Sequence, residues 1–66
     1  MTIILNGITT EIPCQITIKE MLSLQEIDAK LAIVEINEKI INRNLWQETL
    51  LCKGDKVELM SLVGGG

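Results

Sequence analysis

The 66-residue chain has no histidine, no tyrosine and no phenylalanine. Without histidine, neither a Ser-His nor a Cys-His pair can activate a nucleophile. Zinc sites also lose their commonest partner to cysteine. The two cysteines, Cys14 and Cys52, are far apart in sequence and make no CxxC pair. Each is expected to be a free thiol, acting as a small, partly buried filler. Trp46 is the single aromatic residue, so there is no platform for stacking bases. Basic residues are scarce as well. Six stand against nine acidic residues, and a formal net charge of −3 disfavours nucleic acid. It suits a partner with a basic docking surface.

No apolar run approaches the length of a membrane span. Met1-Thr2-Ile3-Ile4-Leu5-Asn6 lacks the basic region and long apolar stretch of a signal peptide. These absences predict a cytoplasmic protein. Neither a GxxxxGKS/T loop nor a GxGxxG run after a strand occurs. Paired carboxylates need a cleft that pushes their pKa values apart. A chain this short, burying about 60% of its unfolded surface, has little room for one. Glu35, Glu38, Glu48 and Asp55 therefore read as solvated surface. The chain is expected not to be an enzyme, and to enter a reaction only as a substrate or carrier.

What is present is a strong folding pattern. Ile3-Ile4-Leu5 and Ile8-Thr9-Thr10-Glu11-Ile12 are β-branched runs around Asn6-Gly7. Asn-Gly between such runs marks a type I′ hairpin. Ile3 and Leu5 share one face, as do Ile8, Thr10 and Ile12; Pro13 ends the second strand. Thr17 with Glu20 is a capping box, and Ile16 with Met21 is its hydrophobic staple. Ile18, Met21 and Leu22 line one face of the helix, which fades near Leu24 to Glu26.

Leu31 through Ile36 reads as a strand, with Ala32, Val34 and Ile36 toward the core and Glu35 away. Asn37-Glu38 turns the chain into a short strand, Lys39-Ile40-Ile41. Asn44-Leu45-Trp46-Gln47 is expected to be a capped single turn, with Trp46 as a lid at the core edge. Lys53-Gly54-Asp55 turns into a last strand, Val57 to Val63. If Val57 and Leu59 face the helix, Met60 and Leu62 lie on the open face as a partner-docking patch.

The sequence finishes in Gly64-Gly65-Gly66. Glycine has no Cβ and reaches backbone angles that other residues avoid. A terminal glycine arm can therefore thread a narrow channel in a partner. The expected organisation is one domain over residues 1–63 and a flexible glycine tail over 64–66. Beyond Val63 the tail reaches about 10 Å.

Taken together, these features resemble the ubiquitin-like sulfur carriers of the ThiS/MoaD family, thiamine-type members above all. The resemblance runs over the whole chain. It rests on the Asn6-Gly7 hairpin, Thr17-Ile18-Lys19-Glu20-Met21-Leu22 and Ala32-Ile33-Val34-Glu35-Ile36-Asn37. Asn44-Leu45-Trp46, Gly54-Asp55-Lys56-Val57-Glu58 and the end Leu62-Val63-Gly64-Gly65-Gly66 follow in order. It implies an α+β, β-grasp fold: a mixed sheet of four to five strands packed on one helix. It also implies a function in making the thiazole of thiamine.

In that scheme a ThiF-type, E1-like adenylyltransferase uses MgATP to adenylate the Gly66 carboxylate; the carrier itself binds no cofactor and no metal. Persulfide sulfur then replaces AMP to give a thiocarboxylate, which a ThiG-type thiazole synthase consumes. Gly65 and Gly66 map onto the family's functional pair, and Gly64 adds reach. Cys14 and Cys52 match no family position. Three other readings stay open: the small subunit of molybdopterin synthase, a ubiquitin-like modifier that forms amides with lysines, and an interaction module with an inert tail. Met60-Ser61-Leu62-Val63 lacks the Pro and Phe that often precede the glycines in the first of these.

Overall fold

A computed structural model describes residues 1–61. β1 (Thr2–Leu5) and β2 (Ile8–Glu11) form an antiparallel hairpin with Leu5 opposite Ile8 and Thr2 opposite Glu11. Asn6 and Gly7 both take positive φ, 49° and 81°, as a type I′ turn requires. The Asn6 side chain has a second task. Its Oδ1 accepts the Leu59 N–H at 2.7 Å, tying the turn to the last strand.

α1 (Ile18–Leu24) starts at the expected box. Thr17 Oγ1 accepts the Glu20 N–H at 3.1 Å, and Glu20 Oε1 accepts the Thr17 N–H at 2.9 Å. That backbone bond, and then the Thr17 hydroxyl, hold the Glu20 carboxyl below its ordinary pKa. Ile16 and Met21 are both buried, as the staple requires. Ile18, Met21 and Leu22 turn inward.

A 3₁₀ turn, Ala29–Leu31, comes next, so β3 spans Ala32–Ile36 and does not begin at Leu31. The cause is local: the Asp28 carboxylate accepts the Lys30 N–H at 2.9 Å and caps a turn that alternation alone does not reveal. β4 (Lys39–Ile40) follows a turn in which Asn37 and Glu38 have φ of 50° and 72°. The next 3₁₀ turn is Arg43–Leu45. Its cap is Asn42, whose side chain accepts the Asn44 N–H; Asn44 itself lies inside the turn.

β5 (Lys56–Ser61) occupies the centre of a five-stranded sheet of order β2-β1-β5-β3-β4. It runs parallel to β1 and antiparallel to β3. α1 covers one face. Ile3 and Leu5, Ala32 and Val34, and Val57 meet Ile18, Met21 and Leu22 in one core, with Ile12, Ile16, Trp46 and Leu51 closing its margins. Ile3, Ile18, Met21, Leu22, Val34 and Val57 are fully buried, each worth about 1.5–3 kcal/mol of hydrophobic transfer.

Trp46 is 4% exposed, and its Nε1 donates to the Ile41 carbonyl at 3.1 Å. The Arg43 guanidinium lies 5.0 Å from the ring centroid. From there it donates to the carbonyls of Ala29 and Ala32 at 3.0 and 3.1 Å. Arg43, stacked on the predicted lid, thus anchors the chain entering β3.

One expectation needs correction. Cys14 and Cys52 are free but exposed, not partly buried. Cys14 precedes a turn at Gln15 (φ 57°), and Cys52 sits where its N–H donates to the Asp55 carboxylate; both positions turn outward from the core. Ile8 shares the core-side face through its pairing with Leu5, yet is 69% exposed. It lies on an edge strand beside the turn, beyond the cover of the helix.

Candidate functional site

The open sheet face keeps apolar surface exposed. Directly paired residues in a sheet point the same way, so the register assigns faces. Val57 and Leu59 point to the helix side, as alternation predicts. Lys56, Glu58 and Met60 point away. Met60 pairs with Ile33, and Ile4 pairs with Lys56 on the same face. Ile40 pairs with Glu35 across β3 and β4. Met60 is 44% exposed, Ile4 39% and Ile40 69%.

Met60 therefore occupies the position the sequence assigned to it, with neighbours the sequence did not name. Ile4 comes from β1, Ile33 and Ile40 from the β3–β4 hairpin, and only the register brings them to one face with Met60. Leu62, the second predicted docking residue, lies outside the described residues. So do Gly64, Gly65 and Gly66, and the proposed boundary at residue 63.

The middle of the face holds a second surprise. Glu35 and Glu58, read from sequence as ordinary surface and strand residues, stand directly opposite each other on β3 and β5. Both are half-buried. Among the described residues neither has an ion-pair partner within 4 Å. Like charges directly opposite in a sheet oppose pairing.

On the rim of the other face, Ile27, Leu31, Ala32, Leu59 and Met60 line an apolar groove of about 270 Å³, with Asn6 and Asp28 at its edge. Met60 thus belongs to both surfaces. Among the described residues, no group of three or more His, Cys, Asp or Glu side chains could hold a metal ion. No helix among them is long and apolar enough to cross a membrane.

The model of the ThiS family matches residues 3–66. The chain belongs to the ThiS family. The match includes the terminal glycines, so membership rests on the tail as well as the body. The sulfur carrier protein ThiS of Bacillus subtilis is 38% identical over 50 residues, 76% of each chain. The crystal structure of the thiamine biosynthesis protein ThiS of Geobacter metallireducens superposes with a TM-score of 0.87 at 28% identity, covering all of both chains. That agreement makes the fold the β-grasp expected from the sequence. A thiazole synthase of Paramagnetospirillum magneticum is 26% identical over 66 residues, all of this chain but 20% of that one.

Proposed function

We propose that the Gly66 carboxylate is the group on which this chain carries sulfur. As a member of the ThiS family, the chain is a sulfur carrier of thiamine biosynthesis. The chemistry at its end follows from what the rest of the chain lacks. The body offers no histidine and no metal cluster among its described residues. The observation that carries the reading is the family match extending through Gly66.

A carboxylate resists attack because the nucleophile must add to an anion. A ThiF-type adenylyltransferase overcomes this with MgATP: a carboxylate oxygen attacks the α-phosphorus and pyrophosphate leaves. Persulfide sulfur then adds to the acyl carbon and AMP leaves. A thiol cleaves the resulting acyl disulfide, releasing the thiocarboxylate. The carrier contributes a positioned acyl group, and the enzyme holds it near the nucleophile. A ThiG-type thiazole synthase takes the sulfur. The alignment of the entire chain with part of a thiazole synthase supports that partner, since in that protein a similar segment belongs to the same chain as the synthase. These reactions belong to the cytoplasm, and in them the chain acts as co-substrate rather than catalyst.

Docking on the open face, through Met60 and its neighbours, keeps the body outside while the tail enters, and Leu62 is the second proposed docking residue. The decisive measurement is intact mass after incubation with adenylyltransferase, MgATP and a sulfur source. One sulfur should replace one oxygen. Deleting Gly66, or adding one residue after it, should abolish the change without altering the fold. A lengthened chain sulfurated at the normal rate would end the proposal. Lysine conjugates in place of thiocarboxylate would favour the modifier reading.

A further inference from the structure

We propose that a basic pocket beside α1, built from none of the strands, binds a compact multivalent anion of the diphosphate class. Lys19, Lys30 and Arg43 line a cavity of about 350 Å³ together with Asn44, Trp46 and Gln47. These cations are half of the six basic residues in a chain whose net charge is −3. Each comes from a different element: Lys19 from α1, Lys30 from the Ala29–Leu31 turn and Arg43 from the Arg43–Leu45 turn.

Hydrogen bonds bring them together. The Lys19 N–H donates to the Trp46 carbonyl at 3.2 Å, and the Trp46 N–H donates to the Arg43 carbonyl at 3.2 Å. The Arg43 guanidinium in turn donates to the carbonyl of Ala29, the residue before Lys30, at 3.0 Å. Gathering like charges costs free energy. Among the described residues none of the three has a carboxylate within 4 Å to offset it. The acids nearest Lys19 and Lys30 in sequence are engaged elsewhere. Glu20 accepts from Thr17, and the Asp28 carboxylate accepts the Lys30 N–H at the edge of the groove beside Leu59.

The donor set selects the ligand. Arg43 lies 5.0 Å from the Trp46 ring centroid and bonds the carbonyls of Ala29 and Ala32, so its planar fork is held in place before any ligand arrives. Its remaining N–H groups, two ammonium groups and the amides of Asn44 and Gln47 surround one concavity. A diphosphate has enough oxygens to accept from several cations at once, which a lone carboxylate does not. Trp46 is only 4% exposed, so a base finds no ring face to stack on and recognition is by charge. An anion in contact with all three cations ties α1 to the chain entering β3.

The test uses inorganic pyrophosphate, titrated into the full chain in magnesium-free buffer. It should bind at one site with a Kd of about 1 mM or tighter by calorimetry, and it should raise the melting temperature. Sodium chloride at equal ionic strength should do neither. Backbone amide resonances of Lys19, Lys30, Arg43 and Asn44 should shift during the titration. Lys19 and Lys30 are exposed, so Lys19→Gln and Lys30→Gln should melt near the wild-type temperature without ligand. Each should bind pyrophosphate about tenfold more weakly. Lys53→Gln, outside the pocket, is the control and should bind as the wild type does. ADP should bind no more tightly than pyrophosphate. Tighter binding of ADP would overturn recognition by charge alone. Wild-type affinity in both pocket variants, or no saturable binding, would overturn the proposal. So would a polyglutamate peptide that binds more tightly than pyrophosphate, since the pocket would then serve an acidic protein surface.

Discussion

The two faces of the sheet are made from the same strands and alternate residue by residue, yet they solve different problems. On the helix side, Ile3, Val34 and Val57 have no exposed surface. On the open side, Ile4, Ile40 and Met60 keep 39% to 69% of theirs, and two carboxylates face each other. The first arrangement lowers the free energy of the folded chain. The second does little for it. Apolar surface and unpaired charge kept on one face are what a binding surface needs and a free-standing fold does not.

The comparison breaks most readily through the helix side. Met21→Ala should cost about 2–5 kcal/mol, read as a lower denaturant midpoint, because it leaves a cavity beneath α1. Docking should weaken only as far as folding does. Met60→Asp is the converse: stability within about 0.5 kcal/mol of wild type, and adenylyltransferase affinity reduced about tenfold by titration calorimetry. Unchanged affinity would remove Met60 from the docking face.

Arg43 tests whether a surface side chain can serve the core. Arg43→Met loses both carbonyl bonds and the contact with Trp46, and should cost about 1–2 kcal/mol in chemical denaturation. A neutral outcome would make the brace incidental.

The smallest effect belongs to Glu20. Its pKa is lowered in the folded state, so the ionised carboxylate favours folding. That contribution is complete above the unfolded value, about 4.3. It is lost as pH falls through the folded value. Glu20→Ala should therefore lower the melting temperature slightly at neutral pH and leave it unchanged in strong acid. An equal deficit at both extremes would assign the effect to contacts that do not depend on the carboxylate's charge.

Much of this molecule was legible in the sequence because its signals are local. Asn6-Gly7 needs only two residues to bring about a turn, and Thr17 with Glu20 needs one turn of helix. The missed features are of two kinds. The 3₁₀ turn at Ala29–Leu31 is capped by Asp28 through a bond that apolar periodicity does not register. The exposure of Cys14 and Cys52 depends on turns that aim both positions away from the core.

By itself the sequence determined the strand and helix order and the core face of each element. These follow from side-chain period, cap chemistry and composition, which act over a few residues. Only the tertiary structure decided what shares the open face. Glu35 and Glu58 are 23 positions apart, with β4 and the Trp46 segment between them in the chain. A one-residue slip of either strand would turn its carboxylate from the open face toward the core. The burial of Val34 and Val57 beneath α1 prevents it, so packing on one face fixes the chemistry of the other.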